Sequence, residues 1–170
     1  QEDKLRQMRV RTEKGETLYL FDRRYYDEEK PIAARLIAID RAAVSMAVDD
    51  INAFIAREER GGQIAYAQLQ KTAIAGALES GVMILTGGPG TGKTTVVRAL
   101  LHIFSSMGLR TALAAPTGRA AKRLSEATSH EAKTVHRLLE MSYSDGNRAE
   151  FARNEENRLD EDVVIVDETS

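Results

Sequence analysis

The chain has 170 residues, 29% of them charged and 42% hydrophobic, with a net charge of −2. That length suits one ordinary domain plus an appendage and buries roughly 68–70% of the unfolded surface, so a core forms without staples. The composition excludes a disordered tail and a membrane protein: no apolar run approaches the ~18 residues a bilayer needs, and Gln1-Glu2-Asp3-Lys4 opens acidic where an export signal opens basic.

Zero cysteines exclude disulfides, thiolate nucleophiles and Cys-type zinc sites, and they suit a reducing cytoplasm. The charge is segmental. Residues 1–60 carry 12 basic and 13 acidic groups, residues 61–140 carry 9 and 4, and residues 141–170 carry 3 and 9. The basic middle holds most of the chemical motifs, so anionic ligands fit there despite the negative total.

In chain order, residues 17–21 alternate weakly as a strand, and Arg23-Arg24-Tyr25-Tyr26 leads into a helix with Pro31 in its first turn. Ile32, Leu36, Ile39 and Ala43 form one amphipathic stripe, and Val48, Ile51, Phe54 and Ile55 form a second. Gly61-Gly62 breaks the pattern, so residues 1–60 read as an accessory, mostly helical segment and residues 61–170 as the main domain. A third helix over about 68–79 presents Leu69, Ala73, Ile74, Ala77 and Leu78 and stops at Gly81.

The rhythm then becomes strand, loop, helix. Val82-Met83-Ile84-Leu85 suits a parallel strand covered on both faces, and a glycine-rich turn and a helix over 93–107 follow it. Thr111-Ala112-Leu113-Ala114-Ala115 is a second strand, Pro116-Thr117-Gly118 opens a helix carrying Ala120, Ala121, Leu124 and Ala127, and Val163-Val164-Ile165-Val166 is the last strand. Residues 141–162, with Asp145-Gly146-Asn147, read as a polar surface excursion. This βαβα order is α/β.

Gly87-Gly88-Pro89-Gly90-Thr91-Gly92-Lys93-Thr94 satisfies G-x-x-x-x-G-K-[ST] after an apolar run and at the start of a helix. Glycines let successive N–H groups face inward, and the helix N-terminus adds about half a positive charge, so a polyphosphate is held without a side-chain cage. Lys93 is expected to reach the β- and γ-phosphates, and Thr94 to place its hydroxyl on Mg²⁺. Asp167 ends the last strand, where ligands of open α/β sheets collect, and is expected to hold Mg²⁺ through water. Glu168, turned away by strand alternation, is the candidate base for an attacking water. A dinucleotide fingerprint is disfavoured, since Lys93 stands where its third glycine belongs.

Other candidates are weaker. His130 and His136 are six apart, whereas H-E-x-x-H places its histidines four apart on one face. His102 reads as a helix-surface residue, and Tyr25-Tyr26 as one packed and one exposed ring.

Residues 87–95, Ala115-Pro116-Thr117-Gly118-Arg119-Ala120-Ala121-Lys122-Arg123-Leu124, Thr134-Val135-His136-Arg137-Leu138-Leu139 and residues 163–170 together resemble the first motor domain of RecD-like superfamily 1 DNA helicases, the exonuclease V alpha-subunit family. The resemblance is strong over 64–170 and weaker before. It implies a RecA-like P-loop NTPase domain, a parallel sheet flanked by helices, incomplete at the C-terminus because the family continues with a sensor strand and a second motor domain. That sensor strand would lie between the phosphate-loop strand and the carboxylate strand. It further implies ATP, with Gln70 recognising adenine and residues 87–95, Thr95 included, cradling the phosphates. Single-stranded DNA would be gripped by Pro116, Thr117, Gly118 and Arg119 and touched by Thr134 and His136. The second motor domain of the same chain and nuclease-complex subunits are the implied partners. A piece lacking its second motor domain is expected to turn over negligibly. Two rivals stay open: a phosphate-loop ATPase or kinase not acting on DNA, and an ATP-binding scaffold docking through residues 1–60.

Overall fold

The computed structural model describes residues 4–13, 15–43, 47–144 and 148–168. Residues 1–3, Asp145-Gly146-Asn147 of the polar excursion and Thr169-Ser170 of the last motif lie outside the described residues. Contacts divide the chain into two compact units, residues 1–46 with 77–84, and residues 47–76 with 85–170.

In the first unit, β1 (Leu5–Thr12) and β2 (Gly15–Asp22) form an antiparallel hairpin paired from Leu5↔Asp22 to Thr12↔Gly15. Only the second strand is legible in the sequence, because Arg6, Arg9 and Arg11 interrupt the apolar residues of the first. Helix α1 (Arg23–Ala42) starts well before Pro31. The Asp22 carboxylate accepts the Arg24 N–H at 2.9 Å and caps it, and Arg23 pairs with Asp27 at 3.3 Å one turn on. Pro31 therefore lies inside the helix, where it removes one ladder donor, and not in the first turn. The cap and a run of helix formers outweigh that loss, and neither makes an apolar stripe. Tyr26 is half-buried against Phe21, at 5.8 Å between rings, while Tyr25 is exposed. The stripe of Ile32, Leu36 and Ile39 is exposed. Residues 82–85, expected as a strand covered on both faces, form no strand among the described residues, and Ile84 is 83% exposed. Instead the N–H groups of Gly81 and Val82 donate to the Asp40 carboxylate at 3.0 and 3.1 Å.

The second unit holds α2 (Val48–Gly62), which runs through the expected break and ends on Gln63 in the left-handed region, and α3 (Gln68–Glu79), whose last turn belongs to the first unit. Ile51, Ile55 and Ile74 are buried, whereas Leu69 is 83% exposed and lies off the expected stripe. Then follow α4 (Lys93–Ser106), β3 (Thr111–Ala115), α5 (Gly118–Thr128), β4 (Ala132–Thr134), the short α6 (Val135–Leu138), the hairpin β5 (Met141–Ser144) and β6 (Arg148–Phe151), and β7 (Val163–Val166).

Strands order β4-β3-β7, all parallel. β3 is central, and its alternation sorts the core. Leu113 packs with Leu101 of α4 and Leu124 of α5 on one face, while Ala112 and Ala114 pack with Leu138 of α6 on the other. Burial on both faces is why this strand reads as an unbroken apolar run. The later part of the polar excursion is pinned by Arg153, one-fifth exposed, which donates to Glu140 at 2.9 Å, Asp160 at 3.4 Å and the Arg158 carbonyl at 2.9 Å.

Glu59 of α2 ties this unit at its start. Its carboxylate meets Lys71 Nζ at 2.8 Å and accepts the Tyr66 N–H at 2.9 Å. The Lys71 ammonium first, and the Tyr66 N–H second, hold Glu59 below the usual carboxylate range. A carboxyl lowered in the native state stabilises fully above its unfolded value, near 4.3, and loses that contribution as pH falls through the lowered native value. The denaturation midpoint of Glu59→Gln is therefore expected below wild type at pH 7, with the gap closing on acidification below about pH 4. A gap unchanged between neutral and acid pH refutes the tie.

Candidate functional site

Parallel pairing brings the ends of three strands to one edge. Ala115 is opposite Thr134, and Ala114 is opposite Val166 while its carbonyl accepts the Asp167 N–H at 3.0 Å. Residues 116–119, 134–136 and 167–168 therefore emerge from the carboxyl edge of one sheet, where open α/β sheets bind ligands. The phosphate loop reaches this edge from α4. A short connection joins the end of α4 to the start of β3, where the Arg110 N–H donates to Asp162 at 2.8 Å. A 14-residue helix rises about 21 Å, so packing back along β3 carries its N-terminus to the opposite, carboxyl end.

The loop itself is set by glycines. Gly90 and Gly92 have φ of 74° and 84°, and Gly92 caps α4 in the left-handed region that L side chains rarely adopt. A Cβ on Gly87 would stand 2.7 Å from the Thr91 hydroxyl, which itself donates to the Gly88 carbonyl at 2.9 Å. Lys93 Nζ folds back over the loop and donates to the carbonyls of Gly87 and Gly88 at 2.6 and 2.9 Å. An ammonium already held over the loop needs only to exchange carbonyl acceptors for phosphate oxygens. Pro89 and Thr94 are exposed, and Thr95 sits beside Gly92. Gln70, the third residue of α3, turns its Oε1 back to accept the Ala67 N–H at 2.9 Å. Its Nε2 packs against Gly92.

The last motif differs from simple alternation. β7 ends at Val166, Asp167 Oδ1 accepts the Glu168 N–H at 2.9 Å, and Glu168 has φ +54°. Glu168 is therefore directed by a left-handed turn and not by strand alternation, and a non-glycine residue held there is strained. Thr94 and Asp167 are hard oxygen donors, a set that fits Mg²⁺ held mainly by phosphate and water.

At the other two strand ends the hydroxyls are caps. Thr117 Oγ1 accepts the Ala120 N–H and Thr134 Oγ1 accepts the Arg137 N–H, both at 3.2 Å, so each hydroxyl keeps its own proton for an outside acceptor. Pro116, Gly118, Arg119 and His136 are exposed. The His136 ring stacks on Phe151 of β6, with centroids 6.5 Å apart and planes at 20°. Phe151 was not legible as a site residue, because 15 positions and a hairpin separate it from His136 in the chain. The remaining histidines have local partners: His102 meets Glu58 at 3.1 Å and His130 meets the Thr128 carbonyl at 2.9 Å.

Residues 70–170 match the family described as AAA domain. The chain belongs to the AAA domain family. Its relatives are RecD-like: it is 37% identical over 179 residues to the RecBCD enzyme subunit RecD of Mycolicibacterium smegmatis, covering 92% of this chain and 30% of that protein. The ATP-dependent RecD2 DNA helicase of Deinococcus radiodurans is 46% identical over 89 residues, 52% of this chain and 12% of its own length, and the RecBCD enzyme subunit RecD of Haemophilus influenzae is 40% identical over 126 residues. The chain thus spans about a third or less of these relatives. With its parallel sheet and phosphate loop, this AAA domain has a partial RecA-like P-loop fold. Among the described residues no helix is long and apolar enough to cross a membrane.

If the Thr117 cap holds the start of α5 in this AAA domain, Thr117→Ala lowers its unfolding free energy by about 1 kcal/mol and Thr117→Asn retains most of it. Equilibrium urea denaturation decides the point, equal losses in both variants counting against a capping role.

Proposed function

We propose that this chain is the ATP-binding part of an ATP-dependent DNA helicase that translocates on single-stranded DNA. What supports the reading is a phosphate loop at the start of α4, which packs on β3, together with an acidic strand end and two exposed, basic or aromatic strand ends at the carboxyl edge of the same sheet. The RecD and RecD2 names of its relatives supply the substrate class.

In this reading residues 87–95 cradle the nucleotide phosphates through backbone N–H groups, Lys93 neutralises developing charge and Gln70 faces the adenine. Thr94 and Asp167 would hold Mg²⁺, which supplies charge neutralisation between the phosphates when bound. Glu168 orients and deprotonates the attacking water. Pro116, Thr117, Gly118 and Arg119 take the strand's phosphates, while Thr134 and His136 meet it beside them, with Phe151 behind the imidazole as a stacking platform. Hydrolysis would open and close a cleft against a second motor domain. Residues 1–60 act as an accessory segment to the motor of residues 61–170, nuclease-complex subunits are candidate partners, and the cysteine-free composition favours the cytoplasm.

Steady-state ATP hydrolysis, with and without oligothymidine, tests this in the full-length protein and in this chain. Strong stimulation of the full-length protein, its loss in Lys93→Ala and near silence of this chain are expected. Arg119→Ala is expected to lower the slope of log affinity against log salt by about 0.7, one phosphate contact. Hydrolysis indifferent to DNA refutes the helicase reading and leaves the nucleotide site. Strict dependence on a small phosphate acceptor favours a kinase.

A further inference from the structure

Gln70 enters the reading above as an adenine contact, yet its surroundings point at the phosphates. Its Oε1 is committed to the Ala67 N–H at 2.9 Å, a capping-box bond in which the third residue of α3 satisfies a donor just before the helix. That bond fixes which way the amide faces, because the acceptor side is turned to Ala67 and the Nε2 side is turned away. Nε2 then occupies the space where a side chain at position 92 would sit: a Cβ built on Gly92 overlaps it, and the next atoms met are Gln70 Cδ at 3.4 Å and Thr95 Oγ1 at 3.7 Å. Gly92 is the residue whose φ of 84° turns the loop into α4, immediately before Lys93.

We infer that Gln70 is a positioning residue of the phosphate loop: its capped amide fills the space beside Gly92, holds that residue in its left-handed turn and so fixes the loop N–H groups and Lys93 for a polyphosphate, whatever base is attached. The inference rests on the reading of residues 87–95 as a phosphate site. Two features follow from the geometry. Position 92 tolerates no side chain both because of its φ and because Gln70 already fills the space. The α2–α3 turn also gains a functional consequence, since the Glu59 pairing with Lys71 and the Tyr66 N–H anchors the residue next to Gln70.

A ligand with phosphates and no base separates this role from adenine recognition. Equilibrium binding of ATP and of inorganic tripolyphosphate, both with Mg²⁺, is measured by calorimetry on the whole chain, wild type and Gln70→Ala. The inference expects both affinities to fall by about tenfold, the scale at which small displacements of a binding group are felt. A tripolyphosphate affinity that changes by less than about threefold overturns it, whether ATP binding falls, which leaves Gln70 as a base contact only, or stays unchanged. Binding stoichiometry and the thermal midpoint report folding separately from affinity. Should Gln70→Ala unfold at the assay temperature, Gln70→Met, which keeps bulk but loses the Ala67 bond, takes its place under the same threshold. Wild-type protein that binds neither ligand defeats the phosphate-loop reading itself; wild-type binding with an unaffected variant defeats only the role of Gln70.

Discussion

The parallel register of β3 with β4 and β7 is the constraint on which the rest depends. Parallel neighbours point the same way, so the three segments that leave them exit at one edge, whatever their separation in the chain. Residues 116–119, 134–136 and 167–168 are brought together by two parallel ladders and nothing more elaborate. The register is in turn fixed by burial. Leu113 faces Leu101 and Leu124 while Ala112 and Ala114 face Leu138, and a slip of one residue would exchange the two sets and drive a leucine into the space shaped for alanines.

Around that edge, small polar groups set directions. Thr117 and Thr134 each close the first turn of a helix, which leaves the residues beside them, Arg119 and His136, on the outside. Asp167 captures the next N–H and turns Glu168 into the left-handed region. At the phosphate loop the same economy holds, with Thr91 and Lys93 both bonded to loop carbonyls. A loop whose cation rests on its own carbonyls is ordered before ligand arrives, so less conformational entropy remains to be lost on binding.

The elements that a local signal specifies were legible: α3, α4, α5, β3 and β7 lie within a residue or so of where periodicity and caps put them. Elements specified by pairing or by distant partners were not. Residues 82–85 are as apolar as β7, but a strand needs a neighbour to hydrogen-bond, and apolarity by itself specifies neither that neighbour nor a cover, as the exposure of Ile84 shows. α1 begins at Arg23, eight residues ahead of Pro31, on a cap with no apolar stripe beside it to announce the start. The excursion after Glu140 reads as loose surface because its order comes from Arg153 reaching Glu140 and Asp160, contacts that composition cannot express.

By itself the sequence determined the phosphate loop, the strand–helix rhythm and the chemistry of each candidate site residue, because these rest on residue types at short, fixed spacings. Only the tertiary structure decided which of them meet. The stacking of His136 on Phe151, the turn that redirects Glu168 and the seating of Gln70 against Gly92 depend on separations in space that chain spacing does not encode. Packing and ladder hydrogen bonds act through space, and a motif records only the part of them that falls within one turn or one loop.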